Sequence, residues 1–154
     1  RLNLELRERL GYTYGVSGGV SPRRTGGSFV VETALNNNSA VDAVARLLDA
    51  LTLTIPFTDG EVLDAARYLV QASPLEYETA ADITVQTAAL IAAGFDPDFV
   101  NRHRAALAGA TAEQVNATWR TNIRPENITV AIGGPARLLE PGLRAAGIEA
   151  EITG

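Results

Sequence analysis

The first twenty residues carry the clearest pattern of apolar and polar positions in the chain. Three leucines recur at four-residue spacing and lie on one face of a helix turning roughly 100° per residue. They are Leu2, Leu6 and Leu10. Gly11 follows where a glycine in left-handed conformation commonly ends a helix. Alternation over residues 12–20 then predicts a strand, so this stretch is expected to be helix, sharp turn and strand.

A second strand is expected directly after the first. Residues 28–35 are rich in Val, Phe and Thr, which favour strands. A short loop containing a proline and paired glycines, residues 21–27, connects the two segments. Strand, tight loop and strand together predict an antiparallel hairpin.

The middle of the chain is expected to be helical. Apolar residues recur at helical spacing from Val41 onward. Capping boxes at Thr58 and Thr111 mark two helix starts. Further helices are expected over residues 76–93, from Asp96-Pro97, and over residues 136–146, while residues 128–132 and 148–152 are typical of short strands.

These elements predict the α+β class. Strands at both ends with helices between them favour two layers, an antiparallel or mixed sheet with helices covering one face. A length of 154 residues suits a single domain over residues 1–154. A domain of that size buries roughly 70% of its unfolded surface, which is enough for a full core.

Composition excludes several classes of function. The net charge of −5, without a block of Lys or Arg, argues against nucleic acid as a partner. The absence of cysteine excludes disulfides, thiolate metal sites and cysteine nucleophiles. No apolar run approaches the ~20 residues of a membrane span, and no signal peptide is visible. The compartment is left open between bacterial periplasm and cytoplasm.

Most candidate sites have an ordinary structural explanation. His103 is the single histidine, so a zinc motif with two histidines on one helix cannot be written from this chain. It is expected to be a surface or packing residue. Arg23 and Arg24 are expected at an exposed hairpin tip rather than in an anion site. The Gly133-Gly134-Pro135 segment lacks the pattern of a phosphate loop and is expected to be a turn.

The remaining candidates are Arg7 and Tyr14, which lie seven residues apart on either side of Gly11. The run L-R-E-R-L-G-Y-T-Y-G resembles a segment in the second domain of the pitrilysin/insulinase family of zinc metallopeptidases. Later segments, including the strand around Phe29 and the Thr111-Ala-Glu-Gln run, come in the family's order. The resemblance therefore covers nearly the whole chain, although only the first stretch is diagnostic.

The resemblance implies a fold and a function. The fold is that of the mitochondrial-processing-peptidase-like metallohydrolases, with additional strand and helix before Arg1, so the chain is expected to be truncated. The function is that of the C-terminal, non-zinc domain of a peptidase, inactive alone. Arg7 and Tyr14 would bind the substrate carbonyl and the transition state. The resemblance implies no cofactor in this chain, zinc in a partner domain or subunit, and a peptide substrate.

Three alternatives stay open at this point. Tyr12 lies two residues before Tyr14 on the same predicted strand face, and only the family spacing favours Tyr14. The chain is also consistent with a scaffold domain from a peptidase-dead member of the family. A free-standing domain that binds peptides at a sheet edge is the third interpretation.

Overall fold

The computed structural model describes residues 1–23, 25–96 and 98–153. The chain begins with a π-helix, Asn3–Arg9, which we call the first helix. Strands β1 (Val16–Arg23) and β2 (Gly26–Thr33) follow and pair as a two-stranded antiparallel sheet. The predicted hairpin is therefore confirmed.

Six α-helices occupy the described residues after the hairpin. They are α1 (Ala40–Leu51), α2 (Asp59–Ala72), α3 (Ala80–Ala92), α4 (Phe99–Ala108), α5 (Ala112–Asn122) and α6 (Ala136–Ala145). Short 3₁₀ turns are formed by Asn37–Ser39, Ser73–Tyr77 and Pro125–Asn127. The α+β class is confirmed, whereas Pro97, the proline predicted to open α4, lies outside the described residues.

Capping boxes set the starts of three helices. The Thr58 hydroxyl accepts from the Glu61 backbone N–H at 3.3 Å, and a Glu61 carboxylate oxygen accepts from the Thr58 N–H at 2.9 Å. Thr111 exchanges the same two bonds with Gln114. A third box, between Thr79 and Asp82, was not predicted. It starts α3 at Ala80, four residues later than the apolar spacing suggested, because the cap satisfies the N–H groups there.

Two predicted strands are absent from the described part of the chain. Residues 128–132 and 148–152 have no strand hydrogen bonding, and the only sheet described is the hairpin. Val130, Ile132 and Ile152 are exposed. A strand requires a neighbour for its backbone N–H and C=O groups, and apolar composition alone does not supply one. The prediction of these two strands was wrong.

The contacts divide the chain into two compact units. The first unit comprises Arg1–Gly19, Phe29–Ile55 and the described residues from Ile123 onward. Its core contains Leu6 together with a cluster of Ala40, Leu139 and Leu143. Helix α6 approaches α1 closely, since a Cβ on Gly142 would lie 2.9 Å from Val41 Cγ2. The single-domain organisation stays a prediction.

The second unit comprises Val20–Ser28 and Pro56–Asn122. Asn116 is buried, and its carboxamide accepts from the Phe57 N–H at 2.8 Å and donates to the Phe57 carbonyl at 2.9 Å. Phe57 also packs edge-on against Trp119, with 5.4 Å between the ring centroids. His103 is exposed and stacks on Phe99 at 5.3 Å.

Candidate functional site

The first helix ends at Gly11 in the manner that its sequence predicts. Gly11 has φ of +64°, in the left-handed region. Its N–H donates to the Arg7 carbonyl at 3.2 Å, and the next N–H, of Tyr12, donates to the Leu6 carbonyl at 2.8 Å. These bonds occupy carbonyls that the helix end leaves unpaired, so the cap is confirmed.

The first helix is wound as a π-helix rather than an α-helix. The Leu10 N–H donates to the Glu5 carbonyl at 3.1 Å, five residues back. Leu6 is fully buried, and Leu2 and Leu10 are half-buried, which confirms the leucine face. π-Helical turns are rare and occur frequently at functional sites. Here the π-helical segment carries Arg7.

Both predicted site residues are exposed on the first unit. The Arg7 side chain is 56% exposed, and its Nε lies 3.4 Å from a carboxylate oxygen of Glu8. Tyr14 is 99% exposed. Tyr14 was expected on a strand, but β1 begins only at Val16. Tyr14 therefore lies in the turn between the first helix and β1, and its side chain stands in solvent.

Side-chain hydrogen bonds, rather than the backbone pairing of a strand, stabilise this turn. The Thr13 hydroxyl accepts from the Gly15 N–H at 3.1 Å, and the Thr33 hydroxyl donates to the Gly15 carbonyl at 2.9 Å. The two hydroxyls are also 2.8 Å apart. At the next residue, the Asn3 carboxamide bonds both backbone groups of Val16. These bonds anchor the backbone directly after Tyr14, at Gly15 and Val16, and join the Thr13 side chain before it to Thr33.

Tyr12 and Tyr14, which the sequence did not separate, have different surroundings. Tyr12 is half-buried, and its hydroxyl forms a hydrogen bond with the Asp42 carboxylate. Its backbone carbonyl also accepts from the Asn36 N–H at 3.4 Å. Tyr12 is therefore an anchor between the turn and α1, and Tyr14 is the tyrosine presented to solvent.

Asp42 belongs to a series of ion pairs that joins α1 to the first helix. Arg46 Nε lies 2.8 Å from the Asp42 carboxylate, and Arg46 Nη1 lies 2.8 Å from Glu5. Glu5 in turn pairs with Arg9 at 2.7 Å. Exposed ion pairs of this kind add little stability individually. The Arg46–Glu5 pair is the one that links α1 to the first helix.

The same contacts shift the pKa values of Asp42, Tyr12 and Arg46. The hydrogen bond from Arg46 holds the pKa of Asp42 below its ordinary value of 3.8, and the bond from Tyr12 acts in the same direction. The hydrogen bond to Asp42 raises the pKa of Tyr12 above 10.0. The Asp42 carboxylate also raises the pKa of Arg46.

The lowered pKa of Asp42 predicts a dependence of stability on pH. A carboxyl whose folded pKa lies below its unfolded value stabilises the fold above that unfolded value, near 3.8, and the contribution is lost as pH falls through the folded pKa. Asp42→Asn should therefore unfold in less urea than the wild type at pH 7, and the difference should shrink below about pH 4. Urea unfolding at several pH values measures this, with Asp49→Asn on the same helix as control. An equal difference at pH 7 and pH 3 would contradict the role of Asp42.

Sequence reasoning did not find Asn3, Thr33, Asp42 or Arg46 as parts of this site. The i, i+4 spacing of Asp42 with Arg46, and of Glu5 with Arg9, was a signal for local pairs only. The contact that matters joins Arg46 to Glu5 across 41 positions. No periodic pattern in the sequence predicts a contact between residues this far apart.

The described residues hold no group of three or more His, Cys, Asp or Glu side chains arranged for a metal ion. In that same part of the chain, no helix has the length and apolar character to cross a bilayer. What the arrangement offers chemically is a neutral O–H donor on Tyr14 and a planar cationic donor fork on Arg7.

Comparison with known proteins shows a similarity in structure rather than in sequence. No family model matches the sequence, and neither does any curated protein. The chain is similar in structure to the crystal structure of a peptidase M16 inactive domain from Pseudomonas fluorescens, with a TM-score of 0.71 and 25% sequence identity. The match covers 86% of this chain and 34% of that one. The present chain thus spans about a third of the solved chain's length.

Proposed function

We propose that this chain is the non-zinc domain of a pitrilysin-like metallopeptidase and holds peptide substrate for a zinc-bearing domain or subunit. The observation that carries the proposal is the similarity, over 86% of the chain, to a domain described as the inactive domain of an M16 peptidase. A domain without its own catalytic centre acts in a peptidase through a companion. The single histidine of this chain leaves the zinc ligands to that companion.

The exposure of Arg7 and Tyr14 supports their role as the substrate-binding pair. Tyr14 is 99% exposed, so its ring buries almost none of its apolar surface, although aromatic rings favour burial. The turn that carries it is nevertheless anchored by hydrogen bonds at the two residues that follow it, Gly15 and Val16. An ordered turn that presents an unpacked ring to solvent is suited to contact with another molecule.

Each side chain has a distinct task in this proposal. Zinc in the partner domain supplies an activated water for hydrolysis. The Tyr14 hydroxyl donates to the scissile carbonyl oxygen as negative charge develops there. The Arg7 guanidinium donates to backbone carbonyls of the peptide and keeps the scissile bond in register. Neither group activates water, so the domain is inactive alone.

The experiment that tests the proposal measures hydrolysis of a quenched fluorescent peptide library. The full-length protein, together with its zinc-bearing domain or subunit, should cleave peptides, and this chain alone should not. A chelator should abolish cleavage, and added zinc should restore it. Absence of cleavage by the complete, zinc-loaded assembly would contradict the proposal.

A scaffold domain is the second candidate, because the neighbour's description as an inactive domain is equally compatible with it. In that case the chain would join its companion without contributing to the reaction. The discriminating result is a complete, stable assembly, supplied with zinc, that cleaves no peptide of the library.

A further inference from the structure

We infer that Asn3 is a positioning residue that sets the direction of Tyr14 relative to Arg7. This inference rests on the proposed function, because it assigns a role within the same site. Asn3 is exposed and does not belong to the leucine face of the first helix. Its side chain reaches 13 positions along the chain to the first residue of β1.

The bond pattern at Asn3 is specific for a carboxamide. Asn3 Nδ2 donates to the Val16 carbonyl at 2.8 Å, and Asn3 Oδ1 accepts from the Val16 N–H at 2.8 Å. Both backbone groups of Val16 are thus paired by one side chain, in the way that a neighbouring strand would pair them. A carboxylate at this position has no donor, and would face the Val16 carbonyl with a negative oxygen.

We call the two hydrogen bonds between Asn3 and Val16 the Asn3 clamp. The position of Tyr14 depends on this clamp because the Tyr14 ring has no packing contacts of its own. With 99% of the residue exposed, no packing contact holds the side chain, and the backbone of the turn sets the direction of its Cα–Cβ bond. Thr33 anchors that backbone through Gly15, and Asn3 anchors it through Val16. Only the Asn3 anchor arises from the helix that carries Arg7, one turn before it. Asn3 therefore couples the two members of the pair.

A small displacement of Tyr14 is expected to have a large effect on rate. Misplacement of a catalytic group by about 1 Å can cost ~100-fold. Loss of the clamp should leave the exposed surface otherwise intact, so substrate affinity should change little. The expected signature is a fall in kcat, with a small change in KM and in Tm.

The test uses Asn3→Ala and Asn3→Asp in the full-length protein with its zinc-bearing domain or subunit, each alone and combined with Tyr14→Phe. The substrate is the library peptide that the wild type cleaves fastest. Each Asn3 variant should lose about 10- to 100-fold in kcat and show faster hydrogen exchange at the Val16 amide. Neither Asn3 substitution should lower the kcat of the Tyr14→Phe variant any further, because Asn3 acts through Tyr14. Asn38→Ala, at another exposed asparagine, should keep the wild-type kcat.

The outcomes separate the inference from the proposed function. If Tyr14→Phe cleaves at the wild-type rate, the proposed function fails and the positioning role falls with it. If Tyr14→Phe is slow but both Asn3 variants keep the wild-type kcat, only the inference is wrong. The inference is also wrong if the losses multiply in the double variants, since Asn3 would then act independently of Tyr14.

Discussion

Replacing Tyr14 with phenylalanine is expected to slow peptide hydrolysis by about 100- to 1,000-fold, the usual effect of removing one donor to a developing oxyanion. The hydroxyl stands in solvent, so its removal should leave the thermal unfolding midpoint unchanged. Steady-state hydrolysis by the complete assembly and a thermal melt of the same samples measure the two effects. The loss should appear in kcat, because the bond to oxygen strengthens as charge develops.

Tyr68 supplies the matched control. It lies on α2 and is 71% exposed, so Tyr68→Phe removes a comparable solvent-facing hydroxyl. It should leave the hydrolysis rate at the wild-type value. Arg7→Lys complements the pair of tyrosine variants, since it keeps the positive charge and loses the planar donor fork. Equal rates for wild type, Tyr14→Phe and Tyr68→Phe would remove Tyr14 from the reaction.

Leu6→Ala is expected to reduce the free energy of unfolding by about 2–5 kcal/mol. Leu6 is the one large side chain that is completely buried among the described residues. Truncation would lose the transfer energy of the removed methyl groups and leave a cavity beneath the first helix. Urea unfolding at constant pH measures the change through the shift in midpoint.

Leu4 provides the control for this prediction. It lies two residues earlier on the same helix and is 62% exposed. Leu4→Ala should change stability by no more than about 0.5 kcal/mol, as is usual for surface substitutions. Similar losses at the two positions would mean that the first helix does not pack through its leucine face.

Features that depend on near neighbours in the chain were predictable from the amino-acid order. The leucine spacing predicted the buried face, and Gly11 predicted the left-handed helix end, because both follow from the geometry of one or two turns. The boxes at Thr58 and Thr111 were predicted for the same reason. The α+β class was also predicted correctly, although from strands at both ends of the chain, of which only those of the hairpin are present in the described residues.

Features that depend on distant partners were decided by the tertiary structure. Residues 128–132 are apolar enough for a strand, but a strand also needs a paired backbone, which periodicity does not report. The spacing of the leucines likewise did not predict that the first helix is a π-helix.

The candidate site likewise combines features set by near neighbours with features set by distant partners. Arg7 and Tyr14 came from local spacing and from the family resemblance, and their role stays a prediction. Tyr12 was separated from Tyr14 by its burial and by its bond to Asp42, which lies 30 positions away. The Asn3 clamp and the Arg46–Glu5 pair likewise join residues that no helical or strand period relates. Short-range order specifies which groups the site contains, and long-range hydrogen bonds specify where those groups point.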